Sequence, residues 1–171
     1  MKRLLSILIL LNFTLGFSQS IKLIEKPTFK GAVFPETYKI LYTQNPPEER
    51  RFTPTIAEIE KLETQLRKDI REINKNKPNH GKDYGPVIHR NLSKYVRQYI
   101  GFIDEDGQKV IHVNFLWNHY SLLDSIRGWT KPDDRWKTEW QMTFDGGSRF
   151  WNIKYLVDEN KFIDFRVNGV A

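Results

Sequence analysis

The stretch YVRQYIGFI-DEDGQ-KVIHVNFLW, Tyr95 to Trp117, decides the fold. Two nine-residue runs rich in β-branched and aromatic side chains flank a polar segment that contains Gly107. That pattern predicts an antiparallel hairpin closed by Asp104-Glu105-Asp106-Gly107, because glycine supplies the positive φ a tight turn needs. Downstream the period of two continues. Further strands are expected near Trp136 to Phe144, Phe150 to Val157 and Phe162 to Val167, with turns at Asp145-Gly146-Gly147-Ser148 and Asp158-Glu159-Asn160-Lys161. Upstream, a leading strand is expected at Tyr38 to Tyr42.

Alternation assigns the faces. One face is expected to carry Val96, Ile100 and Phe102 with Ile111, Val113 and Phe115. Trp136, Trp140, Met142 and Phe144 would extend it, as would Trp151, Ile153, Tyr155 and Val157, and then Ile163, Phe165 and Val167. The opposite face would then show Arg97, Tyr99, His112 and Asn114, with Asn152, Lys154, Asp164 and Arg166 further along. A helix covers the apolar side. Ile56, Ile59, Leu62, Leu66, Ile70 and Ile73 recur at spacings of three and four, while Glu58, Glu60, Glu63, Arg67, Lys68 and Arg71 occupy the remaining positions. It can start with Thr53 as cap and Pro54 at the first turn, or with a Thr55/Glu58 capping box. The expectation is an α+β domain: one main amphipathic helix on a five- or six-stranded antiparallel meander.

One helix followed by a meander, with a long connection between the second and third strands after the helix, resembles the cystatin-like architecture over about residues 54 to 157. The resemblance lies in element order. Cysteine-protease inhibitors of that fold carry Gln-x-Val-x-Gly in the first hairpin, where this chain reads Gln108-Lys109-Val110-Ile111-His112. Their second hairpin carries Pro-Trp, where this chain has Asp145-Gly146-Gly147-Ser148. Both departures fall where such an inhibitor meets its protease.

The N-terminus speaks to location. Met1-Lys2-Arg3 is followed by a mostly apolar run from Leu4 to Leu15 and then Gly16-Phe17-Ser18, the order of a cleavable export signal. Residues 1–18 are expected to be removed, leaving 19–171 as a single extracytoplasmic domain, periplasmic or secreted. The chain has no cysteine, so neither disulfides nor a lipoprotein anchor at the cut site is expected. A net charge of +6, two units of which come from Lys2 and Arg3, is mild. It argues against a nucleic-acid partner. No run long enough for a transmembrane helix is present in the sequence.

Motifs for nucleophilic catalysis, phosphate loops and zinc proteases are absent. The acidic pairs at Asp104 to Asp106 and Asp133-Asp134 have the composition of turns. His80, Asp83 and His89 share one long loop, but its many lysines and arginines oppose a metal ion, and no metal or other cofactor is expected. Candidate ligand-binding residues fall in two groups. Arg97, His112, Asn114, Lys154 and Arg166 would form a polar, cationic sheet face; His119, Tyr120, Arg127 and Trp129 lie in a loop whose aromatic and Arg content suits a contact surface. These residues point to a noncatalytic binding module for an anionic envelope glycan, another polar envelope ligand or a protein partner. The rival readings are a hydrolase acting on an envelope polymer and a cystatin-like inhibitor. The sequence leaves the oligomeric state open.

Overall fold

The structure, a computed structural model, describes residues 20–39, 47–81, 85–120, 123, 126 and 134–170. Among these residues it has one long α-helix and a seven-stranded, mostly antiparallel sheet, an α+β arrangement. The strands are β1 (Lys22–Lys26), β2 (Phe29–Val33), β3 (Arg51–Phe52), β4 (Tyr95–Ile103), β5 (Lys109–Trp117), β6 (Phe150–Leu156) and β7 (Lys161–Val167). The helix α1 spans Ile56–Ile73. In space the order is β1-β2-β4-β5-β6-β7, and β3 shares the β2 side of β4 by pairing with Gly101 and Phe102. All pairings are antiparallel except β2 with β4.

Of the two possible helix starts, Thr55 wins. The Glu58 N–H donates to Thr55 Oγ1 (3.2 Å), and the Thr55 N–H donates back to the Glu58 carboxylate (2.8 Å). Thr53 is left to accept the N–H of Glu36 instead. The helix buries Ile59, Leu62, Glu63, Leu66 and Ile70 against Ile111, Val113 and Phe115 of β5 and Trp151, Ile153 and Tyr155 of β6.

Four expectations are corrected here. The phase of β4 is inverted. Arg97 pairs with Phe115 and Tyr99 with Val113, so Tyr95, Arg97 and Tyr99 lie on the helix side while Val96, Gln98, Ile100 and Phe102 share the far side with His112 and Asn114. Glu63, expected on the solvent side of the helix, is fully buried as the partner of Arg97. Arg97 Nε and Nη2 donate to the Glu63 carboxylate at 3.1 and 3.4 Å, and Tyr99 Oη donates to Glu63 Oε1 at 2.8 Å. The third guanidinium nitrogen donates to the Tyr95 carbonyl, and the cation lies between the rings of Phe29 and Phe115. A charge with no exposed surface survives only with such a full set of partners. Burial and the adjacent Glu63 carboxylate push the Tyr99 phenol well above its usual range, so it stays a donor.

Residues 136–144 are not a strand. After a short 3-10 turn at Asp134–Lys137 the chain runs across the far face of the sheet as irregular backbone. It is held by side-chain amides: Gln98 Nε2 donates to the carbonyls of Trp136 (2.9 Å) and Glu139 (2.7 Å). The Gln141 N–H donates to Gln98 Oε1, and Asn114 Nδ2 donates to the Gln141 carbonyl. Two amide side chains thus satisfy backbone groups that a strand would otherwise have to pair. Trp136 and Trp140 accordingly pack on the side away from α1, in a second small core with Phe34, Val96 and Leu116.

At the N-terminal end, Tyr38 and Lys39 are not in a strand, and residues 40–42 lie outside the described residues. The leading strands are β1 and β2. Gly31 lets β2 approach β4, since a Cβ there would stand 2.6 Å from the Tyr99 ring and 2.9 Å from the Arg97 carbonyl oxygen.

Candidate functional site

The covering segment reaches only part of the far face. Beyond it the sheet floors a groove of about 900 Å3, walled by residues 140–144 on one side and by Pro47, Arg50 and the β4–β5 turn on another. The volume suits a small organic ligand.

Strand register places the floor residues. His112 stands opposite Lys154, Asn114 opposite Asn152, and Asn152 opposite Arg166, so one row across β5, β6 and β7 reads Asn114-Asn152-Arg166. The β6–β7 register shifts between Asn152 and Lys154, where Asp164 adopts a positive φ of 52°. The resulting bulge carries the Asp164 carboxylate to Lys154 Nζ at 2.7 Å. That hydrogen bond holds the carboxyl below its usual range. Arg166 lines the same groove, with no carboxylate within ion-pair distance among the described residues. The groove also has an apolar section. Ile100 and Phe102 are half-buried in its floor, Met142 is 45% and Phe144 77% exposed along its wall, and Trp140 closes the corner with its ring 5.6 Å from His112.

His112 is a neutral group in this setting. Burial first, then the charges of Lys154 and Arg166, push its imidazole down to about 4 from 6.5. Between pH 6.5 and 4 the unfolded chain takes up a proton that the native chain refuses, so native stability falls as pH drops through that window and is fully restored above it. His112 ring resonances should titrate with a midpoint about 4, and His112→Gln should flatten the acid loss of stability across the same range. A midpoint near 6.5 would mean that the half-buried ring is solvated like a free imidazole. A histidine so reluctant to hold a proton is a poor general base at neutral pH.

Of the residues expected to bind ligand, the structure gathers His112, Asn114, Lys154 and Arg166 in the groove and removes Arg97 from it. His119 is exposed on the chain leaving β5, edge-on to Trp117 at 6.0 Å, and Tyr120 is half-buried beside it in sequence. Arg127 and Trp129 lie outside the described residues. Sequence reasoning missed Phe102, Met142 and Phe144 as groove residues, having assigned them to the helix side. The hairpin register itself held the signal for Phe102: with Ile103 opposite Lys109, Phe102 falls on the face of Val110 and His112 rather than that of Ile111.

The loop histidines form no metal centre among the described residues, and Asp83 lies outside them. His89 Nδ1 is 3.2 Å from Asn74 Nδ2. Burial, followed by Arg71, Arg90 and Lys77, holds His89 below its ordinary value. A surrounding of that sign also repels a cation. Lys75, from the same basic stretch, is paired with Glu72.

No helix among the described residues is long and apolar enough to cross a membrane. No known protein family, curated protein or solved structure matches the chain.

Proposed function

We propose that the protein is an exported, noncatalytic binding module that holds a polar or anionic envelope ligand in the groove on the far face of the sheet. The observation that carries this reading is Arg166, a groove cation without an ion-pair partner among the described residues, set beside Asn152 and the Lys154–Asp164 pair. Arg166 is exposed at the edge of the groove, where its guanidinium and the neighbouring Asn152 amide can donate to an anion. Export rests on the charged start, apolar run and small residues of positions 1–18. The cystatin-like ordering belongs to the same proposal, and it is supported by β3 entering α1 and pairing antiparallel with β4 before the chain continues through β5, β6 and β7.

The test uses polygalacturonate as an acidic-glycan probe. Wild-type protein should bind it, with affinity falling as salt rises and the Debye length shortens to about 8 Å at physiological ionic strength. Arg166→Gln should lose most of that binding at low salt while keeping the wild-type unfolding midpoint. Equal binding by wild type and Arg166→Gln, across the salt series, would remove the groove as an anion site.

A further inference from the structure

The two halves of the groove differ in chemistry, and the difference narrows what can occupy it. At the β6–β7 end the charges nearly cancel: Lys154 is taken by Asp164, and His112 is neutral at pH 7. Arg166 remains there, outside ion-pair distance of a carboxylate among the described residues but close enough to Asp164 to help lower its pKa. A dianionic head would face the Asp164 carboxylate with a single guanidinium to offset it. At the opposite rim stand Asp104 and Glu105. Asp104 Oδ1 is committed to the turn, accepting the N–H groups of Asp106 (3.1 Å) and Gln108 (2.8 Å), so its carboxyl is held in place. Arg50 lines the same rim, bonded to the Asp104 carbonyl at 3.4 Å and with its Nε buried and without a hydrogen-bond partner among the described residues, so that end is of mixed charge.

The apolar side chains run the length of the groove. Phe102 and Ile100 form the floor on β4, and Met142 and Phe144 stand exposed on the wall, whose far end Asn168 ties to the end of β7 through the Thr143 and Asp145 carbonyls. Exposed Phe and Met beside a cleft are surface that a ligand can take out of water. From β4 to β7 is three strand spacings, about 14 Å at about 4.8 Å each. That is the length of a medium acyl chain or a few fused rings.

We propose that the groove takes an amphipathic monoanion, a small molecule with one carboxylate head at Arg166 and an apolar body along Phe102, Met142 and Phe144. This rests on the binding-module reading and names its ligand class. The head would accept hydrogen bonds from the Arg166 guanidinium, with Asn152 as its neighbour in the same row, and the body would displace water from the β4 half.

The experiment titrates the full mature protein with three probes below their micellar concentrations, followed by calorimetry and by tryptophan fluorescence. The probes are decanoate, the neutral N-decanoyl-N-methylglucamide with the same acyl chain, and acetate. Decanoate should bind about tenfold or more tighter than either of the others, because each lacks one half of the match. Arg166→Gln should erase the preference for decanoate over the neutral amide and leave the amide's own affinity within about twofold. Phe144→Ser, at a site already exposed to water, should weaken decanoate and leave acetate unchanged. Equal affinity for decanoate and the neutral amide, or for decanoate and acetate, overturns the proposal, as does a preference that survives Arg166→Gln. If decanoate fails to bind while polygalacturonate binds and is lost in Arg166→Gln, the amphipathic class falls and the anion groove stands. If neither binds, both fall.

Discussion

Arg97→Met should destabilise the fold by about 3–5 kcal/mol, because it leaves the Glu63 carboxyl fully buried and without its cation. Methionine keeps most of the side-chain stem between Phe29 and Phe115, so the loss reports the charge rather than a cavity. The triple variant Glu63→Leu, Arg97→Met, Tyr99→Phe should recover most of it, since an apolar set of similar volume leaves no buried charge and only the Tyr95 carbonyl loses a donor. Urea denaturation of the three proteins decides the matter. A cost below about 0.5 kcal/mol for Arg97→Met would be the behaviour of a solvent-facing residue and would place β4 in the opposite phase.

Trp151→Ala should cost about 3–5 kcal/mol. The indole is fully buried, stacked on Phe115 at 3.6 Å between centroids and met edge-on by Tyr95 at 5.8 Å and Phe165 at 5.7 Å. These three neighbours sit on β5, β4 and β7, each fixed by its own ladder, so the surroundings have little freedom to close the space left behind. Trp151→Phe should cost much less, because it preserves the stack. A small loss on Trp151→Ala in thermal or urea unfolding would mean that the sheet can collapse around the site, contrary to the packing described.

Those two sites also show what the sequence could and could not disclose. The residues 95–103 and 109–117 alternate well enough to locate both strands, and the helix stripe from Ile59 to Ile70 is unmistakable. The phase of β4 was not legible by alternation because that strand is covered on both faces. From Tyr95 to Tyr99 every residue is buried, so hydrophobicity no longer distinguishes inside from outside. Arg97 pointed the wrong way for a simple reason: a charge is ordinarily solvated, and the buried carboxylate that receives it lies on a different element 34 positions away. Residues 136–144 misled in the same manner. Their alternating aromatics are real, but β5 already has β4 and β6 as neighbours, so no central edge was open to them. The groove residues of β5, β6 and β7 were legible because those strands follow the ordinary rule of apolar side in and polar side out. Its apolar wall was not, since the wall depends on how an irregular segment is tethered by Gln98 and Asn114.

The parallel pairing of β2 with β4 has a consequence for the order in which the molecule comes together. A chain made from its N-terminus presents the β1–β2 hairpin early, yet its partner on β4 follows roughly sixty residues later, and closing so long a loop must precede any reward from the pairing. An isolated two-stranded hairpin is marginal in water and offers two bare edges to any neighbouring chain. This one is guarded by its own charges. Lys22, Glu25, Lys26 and Lys30 place ionic side chains along both strands, and the Lys30 ammonium pairs with Glu25 within the hairpin itself. After docking, Lys26 reaches Glu60 of α1 at 2.7 Å. The four side chains can therefore keep a waiting segment from joining the wrong sheet, and one of them, Lys26, helps fasten it to the right one.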